Sequence, residues 1–442
     1  MTRAVEGHAI DLAVEPFGWL LLAIFIVGYY FIAAEEKYHI NKAKPALFTG
    51  TFLFMLLGGY YAFNGLNMAP FENEIAHLIL EISEIFFFLF VAMTYIEALI
   101  ERGVFNALKT KLIAKGYGFK QLFWVTGFLA FFISPVADNL TTALILSTVL
   151  ITINRTNKAF LVPAAINVVV AANAGGAWSP FGDITTLMAW TANKGHFIDF
   201  IFLFPASFLG WIATAYLLSR FVPDEHPNKE EDDAENIKIL KGGKVIIALG
   251  VFTIATAVVS KQIMHLPPMW GMLFGLSILK LYAYKLKVHH NEDIQIYSSL
   301  SKIENDTLLF FFGILAAVGA LHFAGFLGHA VKLYEMFDPT IVNIGVGFLS
   351  AIVDNVPVMS AVLKANPDLP LAQWMLVTLT AGVGGSLISF GSAAGVGVMG
   401  KLKGIYTFGA HMKFAWTILV GYIISVAIWY VQFDILGLYI KH

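Results

Sequence analysis

Two acidic residues stand where acids are costly. Asp138 lies in Ser134-Pro135-Val136-Ala137-Asp138-Asn139-Leu140-Thr141-Thr142, set in an otherwise apolar run. The frame Phe-x-Ser-x-x-x-Asp-Asn of Phe132 to Asn139 returns about half a chain length later, from Phe348 through Ser350 to Asp354-Asn355. A carboxylate at membrane depth costs several kcal/mol on insertion scales, so it marks a functional site by default. The chemistry available is simple. Asp carboxylates, Asn side-chain carbonyls and Thr hydroxyls are oxygen ligands that suit a small alkali cation. A carboxylate can also carry a proton, and partial dehydration favours that neutral form. Cation and proton then compete for one oxygen pair, which is sufficient for exchange. Asp138 and Asp354 are the expected alternating carriers of cation and proton.

Each candidate has a blander alternative. Asp138 and Asp354 can cap the helices that follow them, although Asn or Ser would cap equally well without burying a charge. Asn139 and Asn355 are either ligands or hydrogen bonders that hold the turn. Thr141 and Thr142 are either ligands or helix-face hydroxyls bonded to a preceding carbonyl. Asp183 either caps a half-helix or adds a second carboxylate to the inner site. Its partner in the second half is Ser392, so symmetry does not demand it. Ser134 and Ser350 suit close helix packing. Glu84 and Asp306 fall at expected span starts and read as caps or interfacial charges. Glu97 is expected near the inner surface, and His322 reads as a bundle hydrogen bonder.

The elements that must position these residues follow from composition. Of 442 residues, 58% are hydrophobic and 13% charged, against about 25% charged in soluble domains. Apolar runs recur that are long enough to cross a hydrocarbon layer of about 30 Å as helices. The formal net charge of −2 shows no nucleic-acid footprint, and the absence of cysteine excludes disulfides and thiolate metal sites. The sequence predicts an all-α polytopic membrane protein. No cleavable signal is evident, and the first apolar run reads as a retained span. Nothing calls for an organic cofactor.

The first half, 1–221, is expected to contain spans 17–34, 45–63 and 82–99, a hairpin over 121–153, a broken helix over 160–192 and a span over 197–221. A loop is expected over 64–80 and an amphipathic surface helix over 104–114. Lys37, Lys42 and Lys44, and then Arg102 to Lys120, place two loops in the cytoplasm by the positive-inside rule, with the N-terminus outside. Arg155 and Lys158 return the hairpin to the same side. Its second arm would extend only about 20 Å as a helix, too short to cross. The expected form is therefore a re-entrant hairpin with Asp138-Asn139 at its tip. Such backbone at membrane depth is tolerated only where protein or a water-filled cavity surrounds it. The broken helix carries Gly175-Gly176 and Pro180 to Asp183, which should unwind it.

Residues 222–244 form a polar cytoplasmic linker. The second half, 245–442, repeats the order. Spans are expected over 245–261, 268–285 and 307–324, a hairpin over 340–365, a broken helix over 371–399 and a span over 413–430. Gly103 aligns with Gly325, and Gly175-Gly176 through Phe181-Gly182 align with Gly384-Gly385 through Phe390-Gly391. Each half should cross an odd number of times, about ten full crossings in all. The two halves then insert upside down relative to each other, with N- and C-termini outside. That is the inverted-repeat plan of secondary transporters, which place the binding site at the repeat interface near the midplane.

Ala137-Asp138-Asn139-Leu140-Thr141-Thr142-Ala143-Leu144 and Ile352-Val353-Asp354-Asn355-Val356-Pro357-Val358 resemble the NhaD-type sodium/proton antiporters. That group belongs to the ion transporter superfamily, which also holds the divalent-anion/sodium symporters. The resemblance implies exchange of Na⁺ or Li⁺ for H⁺, favoured at alkaline pH and serving pH homeostasis. It also implies a homodimer in the lipid of a bacterial inner membrane and elevator-like movement of hairpins and broken helices against the other spans. By residue, it implies a first cation site from Asp138, Asn139 and the Ser179-to-Gly182 break. A second comes from Asp354, Asn355 and the Gly385-to-Ser389 break. In the symporters the tips read Ser-Asn-Thr, and the breaks carry Thr-Pro. Here Asp replaces that Ser, and Gly391-Ser392-Ala393-Ala394 lacks the Pro. Both departures argue against the alternative, a sodium-coupled dicarboxylate symporter. An intramembrane aspartyl hydrolase lacks its Tyr-Asp and Gly-x-Gly-Asp contexts, so no enzyme is expected.

Overall fold

The computed structural model describes residues 11–38, 40–154, 156–226, 239–290 and 305–438. Arg155, the acidic run Glu230 to Asp233 and Lys238 lie outside them, as does most of the surface segment expected before Asn305. Every regular element among the described residues is helical.

The first helices are α1 (Pro16–Ala33), the short α2 (Glu35–Tyr38), α3 (Ala43–Phe63), α4 (Ala69–Glu101) and α5 (Val104–Ala114). α6 (Phe119–Ala137) and α7 (Asn139–Ile153) meet at Asp138. α8 (Lys158–Gly176) and α9 (Ile184–Thr191) flank the first break, followed by α10 (Phe197–Ile201) and α11 (Phe204–Ser219). After the linker come α12 (Gly243–Gln262), α13 (Pro268–His290), α14 (Asn305–Phe323) and α15 (Gly328–Met336). α16 (Pro339–Val353) and α17 (Asn355–Ala365) meet at Asp354, and α18 (Leu371–Gly384) and α19 (Ala393–Lys401) flank the second break. α20 (Phe408–Met412) and α21 (Ala415–Tyr430) follow, and a π-helical turn continues α21 over Val431–Ile435. Seven described helices are long and apolar enough to cross a membrane, or eight if Leu308–Phe323 and Gly328–Met336, bent by 76°, form one path. The chain is a multi-pass membrane protein.

One expectation needs correction. The loop expected over 64–80 is helical from Ala69, where α4 starts, with Pro70 in its first turn and Glu72 beside it. Proline is tolerated at that position, and an acid there complements the helix dipole. Glu84 therefore sits well inside a long helix, close to Lys261 and Glu81, rather than at a helix start.

The helices pack in two groups. In the first, α3 lies along α14, and α4 contacts α12, α13 and α14. A Cβ on Gly50 would overlap the carbonyl oxygen of Gly313, so the α3–α14 backbones touch. In the second, α6 and α7 pack on α8, α16 and α17 on α18, and α11 along α21. Close approach through small residues is how helices associate where lipid offers no hydrophobic driving force. α8 runs through the middle of this group and is almost entirely buried.

Several contacts of the first half recur in the second. Ser134 donates to the Ala172 carbonyl at 2.6 Å, and Ser350 to the Ala381 carbonyl at 2.6 Å. A Cβ on Gly175 would overlap the Phe131 carbonyl, and one on Gly384 the Gly347 carbonyl. Gly103 and Gly325, at φ 69° and 91°, turn the chain after α4 and α14, a conformation that glycine adopts without steric cost.

Candidate cation site

Both hairpin joints are made by an aspartate in a backbone conformation that suits glycine. Asp138 has φ 55° and ψ 162°, Asp354 φ 78° and ψ 143°. A non-glycine residue near that region costs on the order of 1–3 kcal/mol and persists only where its surroundings hold it. What holds it is partly local. Asp138 accepts the Thr141 N–H at 2.8 Å and the Thr141 hydroxyl at 2.7 Å. Asp354 accepts the Val356 N–H at 3.4 Å. Both aspartates thus cap the helix they precede.

At each tip the capping Asp is followed by an Asn at the first position of the next helix, and the two asparagines converge. Asn139 Nδ2 donates to Asp183 Oδ2 at 2.9 Å. Asn355 Nδ2 donates to the same oxygen at 3.1 Å and to Oδ1 at 3.3 Å. Asp183 is the N-cap of α9, where its Oδ1 accepts the Thr185 N–H at 3.2 Å. It is 3% exposed, and the carboxylates of Asp138 and Asp354 lie near enough to act on it electrostatically. One buried acid therefore receives an amide from each half of the chain.

The two helix breaks shape this centre. Gly182 approaches Gly176 and Pro135 so closely that no side chain fits. Ser179 donates to the Pro135 carbonyl at 2.8 Å and so ties the first break to the first tip. Gly385 approaches Gly391 in the same way. Ser392 caps α19 as Asp183 caps α9, with matching backbone angles (φ −146° and −148°). Asn173 joins the halves: its Oδ1 accepts Asn139 Nδ2 at 3.0 Å, and its Nδ2 donates to the hydroxyls of Ser386 and Ser392, each at 2.8 Å. Buried polar groups in proteins are nearly always paired, yet the buried hydroxyls of Thr142 and Ser389 make no hydrogen bond. Thr185 Oγ1 and Asp183 Oδ2 both face Gly382.

The structure therefore brings together Asn139, Asn355 and Asp183, with Ser179 and Gly182 behind them. Gly385 serves the second break, and Thr141 is committed to its cap. Asp138 and Asp354 flank the centre rather than occupy it. Sequence reasoning missed Asn173, Thr185 and Lys42, whose ammonium lies 3.2 Å from Asp354 Oδ2; Ser386 lies within the expected Gly385-to-Ser389 break. Asn173 had a signal: it is a lone amide inside the apolar run Val168 to Ala174.

Known proteins resemble the chain along most of its length. The family described as "Citrate transporter" (CitMHS) matches residues 20–382. The chain is 42% identical to the "Na(+)/H(+) antiporter NhaD" of Alkalimonas amylolytica, over 96% of this chain and 92% of that protein. It is 41% identical to the protein of the same name from Vibrio cholerae, over 96% and 93%. Sodium/proton antiporter 1 of Arabidopsis thaliana is 31% identical over 86% of this chain and 66% of its own length. The chain belongs to the NhaD-type antiporter family. In this NhaD-type chain, the motifs that carried the resemblance, Asp138-Asn139 and Asp354-Asn355, are the two turns whose amides reach Asp183.

Proposed function

We propose that the protein exchanges Na⁺ or Li⁺ for H⁺ across a bacterial inner membrane. The observation that carries this reading is the convergence of Asn139 and Asn355 on the buried Asp183 carboxylate. In the proton-loaded form, Asp183 is neutral. In the cation-loaded form its oxygens ligate the ion. A half-turn of each asparagine amide about its terminal torsion then replaces an N–H donor by a carbonyl oxygen ligand. The unpaired hydroxyls of Thr142 and Ser389, and the Thr185 hydroxyl beside Asp183, suit further ligation. Asp138 and Asp354 complete the carboxylate set, and cation and proton occupy it in turn.

The recurring Ser134/Ser350 and Gly175/Gly384 contacts support two structural repeats built to one plan. Inverted insertion, re-entrant hairpins and about ten crossings follow from the charge pattern of the loops. A cavity of about 500 Å³ lies between α1 and the second tip, lined by Tyr29, Glu35, Lys42, Asp354 and Met399. The same side of the molecule carries Lys401 and Lys403, which the positive-inside rule places in the cytoplasm. We read the state as inward-facing, with the second helix group as the moving part of an elevator and the first as scaffold of a homodimer.

Purified protein in vesicles with an inside-acid gradient tests the reading. Sodium or lithium added outside should collapse the gradient. No response to either ion above neutral pH ends it. The citrate-transporter description of the family motivates a second assay, sodium-dependent uptake of labelled citrate. None is expected, because the acidic centre repels a polyanion.

A further inference from the structure

Lys42 stands at the N-cap of α3, a place where its charge opposes the helix dipole and its side chain makes no cap. Local preference would put Ser, Asp or Asn there. Tertiary contacts account for it. Its ammonium lies 4.3 Å from the centroid of the Phe310 ring on α14 and 3.2 Å from Asp354 Oδ2. The lysine belongs to the first helix group and the aspartate to the second. The Asp354 side chain is 9% exposed and that of Lys42 17%, so the pair is shielded from water.

We infer that Lys42 is a tethered cation that competes with the cargo ion at Asp354 and thereby decides how strongly sodium is held. This rests on the antiporter reading above. An alkali ion that takes up Asp354 Oδ2 must displace the ammonium. The displaced side chain moves within the cavity it already lines, which also contains Glu35. Breaking the pair also removes a tie between the two helix groups, so loading and release of the second tip are linked. The linkage does not require Lys42 to lose its proton. A second tie, Lys364 on α17 to Glu81 on α4 at 2.8 Å, does not touch the tip and serves as a control.

The test compares wild type with Lys42→Met, Lys42→Gln, Lys42→Arg and Glu81→Gln. Sodium binding is read from the shift in unfolding temperature during titration in detergent, and transport from proton flux in vesicles. Lys42→Met and Lys42→Gln should each lower the half-saturating sodium concentration at least fivefold in both assays, while Lys42→Arg stays close to wild type. Glu81→Gln should alter maximal flux and leave half-saturation in place. Unchanged or higher half-saturation in both neutral variants overturns the inference, as does an equal fall in Glu81→Gln. If wild-type vesicles show no exchange but the binding shift of the neutral variants persists, the antiporter reading fails while competition at Asp354 stands.

Discussion

Asp183 is the residue on which both halves of the chain depend. Asp183→Asn keeps the volume and one acceptor oxygen but removes the charge that two amides address. Exchange should fall to background in vesicles while the purified protein still folds. Hydrogen bonds to a charged group contribute roughly 1.5–3 kcal/mol. Asn139→Ala or Asn355→Ala should therefore weaken sodium binding by about ten- to a hundredfold in a titration, at 1.4 kcal/mol per factor of ten. Asp138→Asn makes the sharpest contrast. Asn caps as well as Asp and tolerates a positive φ, so stability should hold while flux is lost. Wild-type flux in that variant would reduce Asp138 to a cap. The sequence disclosed Asp138, Asn139, Asp354 and Asn355 because a repeated polar pair in an apolar run has no other cheap explanation. It ranked Asp183 lower because Ser392 takes its place in the other half. Lys42 was legible only as a topology signal, since its partner is 312 positions away.

At the scale of the element, α6–α7 and α16–α17 are held against α8 and α18 by backbone contact at Gly175 and Gly384. Gly175→Val and Gly384→Val should each cost at least about 1–3 kcal/mol, the usual penalty for overpacking, read as a lower unfolding temperature. Gly345→Ala, where the added carbon meets nothing within 4 Å, is the matched control and should behave as wild type. Helix ends next to Gly and Pro were readable from the chain to within a few residues. The start of α4 was not, because Glu72, Glu74, His77 and Glu81 interrupt its apolar pattern. A helix that continues past the hydrocarbon layer carries polar residues there, so hydropathy alone marks only the part in contact with lipid.

At the scale of the whole molecule, the two helix groups meet at α17, which contacts α14 of the first group and α16 and α18 of the second, and again where α4 contacts α9. Movement of one group past the other must break the Glu81–Lys364 tie. The absence of cysteine makes this testable without a background of native thiols. Cysteines placed at both positions and bridged by a short bifunctional reagent should stop exchange, and a cleavable bridge should restore it on cleavage. Undiminished flux in the bridged protein would exclude relative motion there. The grouping itself was not legible: charge and hydropathy order the spans along the chain, whereas which span touches which depends on the small residues that let backbones meet.

Lys42 is paired with Asp354, whereas the deeply buried Asp183 is bonded to neutral amides and the Thr185 N–H. Such a pocket balances a single positive charge. Calcium or magnesium would bring a second charge to a carboxylate that offsets one, with Asp354 held by Lys42 and Asp138 by its cap, at the steep cost of an under-compensated ion away from water. Hard water should thus be no obstacle to this protein: millimolar alkaline-earth salts added to vesicles are expected to leave the sodium response intact.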